Sequence, residues 1–125
     1  MDALEYTREL IRFESTSSLS NVEVTNYCEA KLKDLGFATE RIEYDDARGV
    51  RKANVIGKKG PGTGGVAYFC HTDVVPADTW TIEEHGPFDP VVVGDKLYGR
   101  GSCDMKGSLA SALAAAERIS ASELK

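Results

Sequence analysis

No stretch of about 18 or more apolar residues occurs, so no segment of this 125-residue chain is expected to cross a membrane. The opening run MDALEYTRELIRFES is charged and amphipathic throughout, without the basic start and apolar stretch of a signal peptide. Basic side chains are outnumbered, 15 Lys and Arg against 20 Asp and Glu, for a formal charge of −5. Such a surface repels phosphate backbones, which argues against nucleic acid as a partner. Cysteine is sparse. Cys28, Cys70 and Cys103 are odd in number and widely spaced. That is no disulfide framework, and it points to a reducing compartment such as the cytoplasm. Internal repeats and low-complexity tracts are absent. The length fits one small domain with a workable core.

Local patterns are more informative. A helix is expected over Ala3 to Glu14, where Leu4, Thr7, Leu10 and Ile11 fall near one stripe. The run Ser15 to Ser20 reads as a loop. Ser20 and Glu23 form a capping-box pattern ahead of a second helix, in which Val24, Tyr27, Cys28, Lys31, Leu32 and Leu35 recur at helical spacing. The Lys31 stem can lie along that stripe, and Gly36 is placed to cap the end. Phe37 to Tyr44 and Ala53 to Gly57 read as strands around the turn Asp45 to Gly49, and Lys58 to Gly65 as a flexible turn. The apolar run Val66 to Cys70 suits a strand covered on both faces. Ala77 to Pro90 is irregular, while Val91 to Val93 and Lys96 to Tyr98 flank the hairpin signal Gly94-Asp95. Gly99 to Gly107 is a glycine-bearing loop, and Ser108 to Ser120, rich in Ala and Leu, is a helix by propensity. Helices at both ends of mixed strands give an α/β layer protein. The last helix would normally feed a further parallel strand, and the chain reaches Lys125 without one, so the sheet is expected to be incomplete.

Two motifs carry chemistry. His71 and Asp73 stand two apart, which in extended chain puts both on one face. An imidazole is a good ligand for a divalent metal, and a carboxylate beside it can hold the other ring proton and fix the tautomer. The pair follows the Val66 to Cys70 run, at the end of a strand where sites in open α/β sheets gather. The second motif is Gly99-Arg100-Gly101-Ser102-Cys103-Asp104-Met105-Lys106-Gly107. Its glycines allow close backbone approach, and Asp104 precedes a helix whose N-terminus favours a carboxylate. A nucleotide-binding domain is a rival reading, but order argues against a phosphate loop, because Lys106 precedes Gly107 and is not followed by Ser or Thr. A dinucleotide fingerprint is disfavoured because Asp104 occupies the place of the third glycine. Taken singly, His71-x-Asp73 also reads as an unrelated surface pair and Asp104 as a helix cap.

In order and spacing, His71-Thr72-Asp73-Val74-Val75-Pro76, Trp80, Gly86-Pro87-Phe88, Leu97-Tyr98-Gly99-Arg100-Gly101 and Asp104-Met105-Lys106-Gly107 resemble one family. It is the zinc amidohydrolases that include acetylornithine deacetylase, succinyl-diaminopimelate desuccinylase, aminoacylase and glutamate carboxypeptidases. The opening helices and strands match that family's start as well. The resemblance implies the N-terminal part, residues 1–125, of a three-layer α/β/α zinc-exopeptidase-like catalytic domain. It implies His71 as a metal ligand, Asp104 as the carboxylate bridging two Zn²⁺ ions, and Asp73 as the catalytic-site carboxylate that orients His71. Co²⁺ or Mn²⁺ are possible substitutes. A cis peptide after Asp104 is often seen in the family.

The family pattern continues with a Glu-Glu pair that includes the general base, a further carboxylate and a late histidine. These are expected beyond Lys125, together with the lid and dimerisation domain. The resemblance thus implies hydrolysis of an amide in an N-acyl amino acid or small peptide, with a lean to acetylornithine deacetylase-like chemistry from the 99–107 motif. It also implies a homodimer for a full-length parent, and an inactive chain when this stretch stands alone. The competing reading is a non-catalytic α/β module with an accessory metal site. Cys70 and Cys103 are expected to be small buried packing residues, His85 a loop histidine, and Trp80 and Phe88 loop anchors. Asp45-Asp46 and Glu83-Glu84 are expected to be solvated.

Overall fold

The computed structural model describes residues 1–62 and 64–119. Ser120, the expected end of the last helix, Thr63 of the flexible turn and the closing Glu123-Leu124-Lys125 lie outside them. Helix α1 (Ala3–Ile11) opens on a capping box, with Asp2 accepting from the Glu5 N–H and Glu5 reaching back to the Asp2 N–H. It buries Tyr6, Thr7, Leu10 and Ile11. Leu4 is exposed, and Tyr6 takes the place that the expected stripe gave it.

Helix α2 (Val22–Asp34) ends in a Schellman turn. Gly36 sits at φ +80°, its N–H bonds to the Lys33 carbonyl, and the Phe37 N–H reaches back to Leu32. Lys31 lies as expected, its ammonium over the rings of Tyr6 and Tyr27. The start differs from expectation. The Ser20–Glu23 box does not form, because Asn21 is the cap residue and its side chain is engaged elsewhere. Asn21 Nδ2 donates to the Ala53 carbonyl and Asn21 Oδ1 accepts from the Ala53 N–H, each at 2.8 Å. Ser20 is drawn to the same hairpin and donates to the Arg51 carbonyl at 2.8 Å.

That hairpin is β1 (Ala38–Asp45) and β2 (Arg51–Lys58), antiparallel in one register along their length. Asp46 closes the turn between them rather than standing free in solvent. It accepts from the N–H groups of Arg48 and Val50, and these bonds with the Arg48 guanidinium hold its carboxyl down at about 2. Strands β3 (Val91–Val93) and β4 (Lys96–Tyr98) form the second antiparallel hairpin. Helix α3 (Gly107–Glu117) follows a kinked helical turn at Ser102–Lys106.

The core is helical. Tyr6 and Leu10 of α1 and Val24 and Cys28 of α2 meet Leu109, Ala110, Leu113 and Ala114 of α3. Its small alanines let α1 and α3 pack closely, and β2 lies against α2. The result is a small α/β domain with two short antiparallel sheets among the described residues.

One expected strand is absent. Val66 to Cys70 forms no strand, and Val66 and Phe69 are almost wholly exposed. A strand needs a ladder to satisfy its backbone, and among the described residues no neighbour supplies one to this segment. No helix among them is long and apolar enough to cross a membrane.

Candidate metal centre

The site begins at a piece of parallel pairing that no strand assignment anticipates. Thr16 bridges Val74, the Val74 N–H donates to the Ser15 carbonyl, and the Ser17 N–H donates to the Val74 carbonyl. Ser15 Oγ adds a 2.6 Å bond to the Thr72 carbonyl. The serine loop after α1 is therefore the mount of the His71-Thr72-Asp73 segment. Two cations from the β1–β2 hairpin brace the loop from outside: Arg48 bonds to the carbonyls of Ser17 and Ser18, and Lys52 to those of Ser17 and Leu19.

On that mount His71 and Asp73 meet, as their spacing predicts. The chain here is not a ladder strand, and only Val74 just beyond it forms a bridge. His71 Nδ1 stands 3.3 Å from Asp73 Oδ1 and 3.0 Å from the Asp73 carbonyl oxygen. The other ring nitrogen, Nε2, stands 3.1 Å from Asp104 Oδ1. The two motifs, 33 residues apart, are thus brought together across one imidazole.

Asp104 is delivered by the glycine-bearing turn. Gly101 at φ +83° lets the chain pass against Val74, where any Cβ would stand 2.5 Å from Val74 Cγ1. The peptide from Asp104 to Met105 is cis, as the resemblance implies. Sequence reasoning missed what anchors this turn. Lys106 is fully buried, donates its N–H to Gly101 and places Nζ 2.7 Å from the Phe13 carbonyl. Burial pulls its ammonium down to about 8, against a smaller opposing pull from Cys28. Nothing local marks such a lysine, since its partner lies 93 residues away.

A cavity of about 260 Å³ opens on the constellation, lined among others by Ser17, His71, Asp73, Arg100, Cys103 and Asp104. Among the described residues no glutamate lines it. Cys70 and Cys103 are exposed, not packed. The first lies in the unpaired segment and the second at the kinked turn, so neither is covered by the helical core. Cys28 is the buried one, and burial pushes its thiol up to about 12. His85 stays in its loop, edge-on to Trp80 and Tyr98, and Trp80 anchors that loop by donating Nε1–H to the His85 carbonyl at 2.9 Å.

The donor set fits a divalent cation. Every polar atom facing the His71 ring is an acceptor: two at Nδ1 and a carboxylate at Nε2. A neutral imidazole has one N–H and can satisfy one side only. With that proton on Nδ1, the Nε2 lone pair and Asp104 Oδ1 face each other and share a need for positive charge. Two donors each about 2.0–2.2 Å from one tetrahedral ion stand roughly 3.3 Å apart, close to the 3.1 Å here. Among the described residues no group of three or more His, Cys, Asp or Glu gathers to hold a metal. His71 and Asp104 would give such an ion two donors, and a tetrahedral shell takes more.

These features define an α/β domain that presents a carboxylate–histidine–carboxylate constellation at the mouth of a cavity. Residues 67–125 match the model of the family described as Peptidase family M20/M25/M40. The chain is similar, at 38% identity over 113 residues, to a succinyl-diaminopimelate desuccinylase of Rhodopseudomonas palustris, a match covering 90% of this chain and 29% of that protein. It is also 38% identical over 124 residues to an acetylornithine deacetylase of Myxococcus xanthus, covering 94% of this chain and 30% of the relative. A succinyl-diaminopimelate desuccinylase 1 of Alteromonas mediterranea is 42% identical over 97 residues, 78% of this chain and 24% of its own. The chain therefore spans under a third of the length of these curated relatives.

Proposed function

We propose that the protein carrying this sequence is a metal-dependent hydrolase of amide bonds in N-acyl amino acids or small peptides. The observation that carries the reading is His71 set between Asp73 and Asp104, with acceptors on both sides of its ring. Residues 1–125 are the N-terminal part of a three-layer α/β/α catalytic domain in this reading. A lid and dimerisation domain and the rest of the catalytic domain belong to the remainder of the protein, which acts as a homodimer in the cytoplasm.

His71 would hold the metal through Nε2 while Asp73 holds the proton on Nδ1, fixing the tautomer and the ring plane. Asp104 would supply a carboxylate ligand. The bound ions, Zn²⁺ with Co²⁺ or Mn²⁺ as substitutes, would polarise the scissile carbonyl and bring a water's pKa toward neutrality. A glutamate outside residues 1–125 serves as general base and passes the proton to the leaving amine. The 99–107 motif leans toward acetylornithine deacetylase-like chemistry. Relatives named for removing an acetyl and a succinyl group match this chain about equally well, so the proposed chemistry is what those names share: release of an acyl group from an amino-acid nitrogen.

One observation favours a non-catalytic α/β module with an accessory metal site, namely that no third ligand joins the pair among the described residues. A single experiment separates the two. The whole protein is assayed on N-acetyl and N-succinyl amino acids before and after chelation. Hydrolysis that is lost on chelation and restored by Zn²⁺ or Co²⁺ is expected. Hydrolysis indifferent to chelator overturns the metal reading, and metal binding without hydrolysis favours the accessory module.

A further inference from the structure

The serine loop does more than mount the histidine segment. Ser17 Oγ lies 2.6 Å from Asp73 Oδ2, and the Val74 carbonyl is a more distant acceptor at 3.2 Å. A hydroxyl donates one proton, and the nearer, charged acceptor takes it. Asp73 is thus held at both oxygens, Oδ2 by Ser17 and Oδ1 facing His71 Nδ1. Asp73 and His71 are both substantially exposed, so burial does not fix the carboxylate. Without a second partner it is free to turn toward water and leave the imidazole.

Ser17 itself is not free to turn away. Its N–H is bonded to Val74, its carbonyl accepts from Lys52 Nζ at 3.0 Å, and the preceding residue bridges Val74. The hydroxyl is presented from a backbone fixed on three sides, on the wall of the cavity that His71 and Asp104 also line.

We infer that Ser17 is a positioning residue for the metal centre: its hydroxyl locks the Asp73 carboxylate in the plane that keeps the His71 proton on Nδ1 and turns Nε2 toward Asp104. The inference rests on the reading of His71 and Asp104 as metal ligands.

The test uses Zn²⁺ alone as probe on the 125-residue chain, by calorimetry and by ¹⁵N spectra of the imidazoles at one fixed pH. The chain has only two histidines, so His71→Ala assigns the His71 signals. Ser17→Ala is expected to weaken Zn²⁺ binding roughly three- to tenfold, the lower end of what losing an orienting partner costs, and to shift His71 away from the Nδ1–H tautomer. Ser17→Thr keeps the hydroxyl and is expected to restore both. Wild-type affinity and tautomer in Ser17→Ala overturn the inference. So does a loss that Ser17→Thr fails to restore, which assigns the effect to loop packing. If His71→Ala binds Zn²⁺ as well as wild type does, the metal reading fails and this inference with it. If His71→Ala abolishes binding while Ser17→Ala does not alter it, the role of Ser17 alone fails.

Discussion

Lys106 is the residue whose chemistry most opposes its surroundings. It is buried against Phe13 with a carbonyl for a partner and no carboxylate, and burial lowers it from 10.5 to about 8. Below pH 8 the folded and unfolded chains both hold its proton, and the cost of the buried charge stands in full. Between 8 and 10.5 the unfolded chain keeps a proton that the folded chain has released, so stability rises with pH. Cys28 acts in the opposite sense. Burial raises it from 9.0 to about 12, and in that window the unfolded chain has lost a proton that the folded chain keeps, so stability falls. Urea midpoints should therefore climb from about pH 8 to 9, level off, and decline above about 10.5. The Lys106 rise is on the order of 3 kcal/mol in full, and Lys106→Met should remove it while leaving the decline. A rise that survives Lys106→Met would show that another group drives it. Gly107 gives a second prediction that runs against propensity. Its φ and ψ of −64° and −38° are helical, where alanine ordinarily gains about 1 kcal/mol over glycine. A Cβ there meets the Ser102 carbonyl oxygen, which belongs to the backbone of the kinked turn and cannot swing aside. Gly107→Ala should cost about 2 kcal/mol by urea denaturation. At this scale the sequence was uneven as a guide. His71 and Asp73 were legible because an i, i+2 pair in extended chain needs no knowledge of the rest of the fold. Ser17 and Lys106 were not, because a serine in a serine-rich loop and a lysine after a turn acquire roles only through partners 56 and 93 residues away.

Elements whose signals are local were the most readable. The second helix and its Gly36 end, the Gly94-Asp95 hairpin and the β1–β2 pair all form where pattern and turn chemistry put them. The departures share one cause, which is competition from distant groups. Ser20 was expected to cap α2, yet it and the cap residue Asn21 bond through their side chains to the β2 strand. This makes Asn21 the clasp between helix and hairpin. Asn21→Ala should remove two bonds to Ala53 and leave the Ala53 N–H without the Asn21 acceptor, while the Ala53 carbonyl keeps Thr25 Oγ1 at 3.2 Å, costing about 1–2 kcal/mol. Asn21→Asp keeps the acceptor and loses the donor, and should fall between. Equal urea midpoints for wild type and Asn21→Ala would show the clasp to be without energetic weight. The Val66 to Cys70 run is the converse case. Its composition is that of a buried strand, but strand formation is a property of a pair, and composition cannot supply the partner. The same gap leaves the three-layer arrangement a proposal, because the two sheets of the described residues are separate hairpins.

At the scale of the whole molecule, an incompletely covered surface and an incomplete metal shell have linked consequences. Val66, Phe69 and Val75 expose apolar side chains on either side of His71, and among the described residues nothing pairs with the backbone of 66–70 as a strand. An apolar, unpaired stretch of this kind is a template for another chain. The 125-residue polypeptide should therefore self-associate with rising concentration, and Val66→Lys with Phe69→Lys should reduce the association without lowering the urea midpoint, since neither side chain is packed in the core. A monodisperse wild-type monomer across the micromolar range in sedimentation would refute this. In the proposed reading the described residues supply two donors and one orienting carboxylate, and among them no glutamate lines the cavity. Two protein ligands would leave most of a tetrahedral shell to water, so Zn²⁺ should bind orders of magnitude more weakly than at closed protein sites. Amide hydrolysis should be undetectable, because the proposed base that takes the water's proton belongs to the remainder of the protein. The two measurements are informative together. Weak, His71-dependent Zn²⁺ binding without turnover fits a site that these residues begin and others finish. Tight binding by the 125 residues alone, or hydrolysis of an N-acyl amino acid that survives purification to homogeneity and disappears in His71→Ala, would mean that the ligand set and the base lie within this chain, and that the division of labour proposed here is wrong.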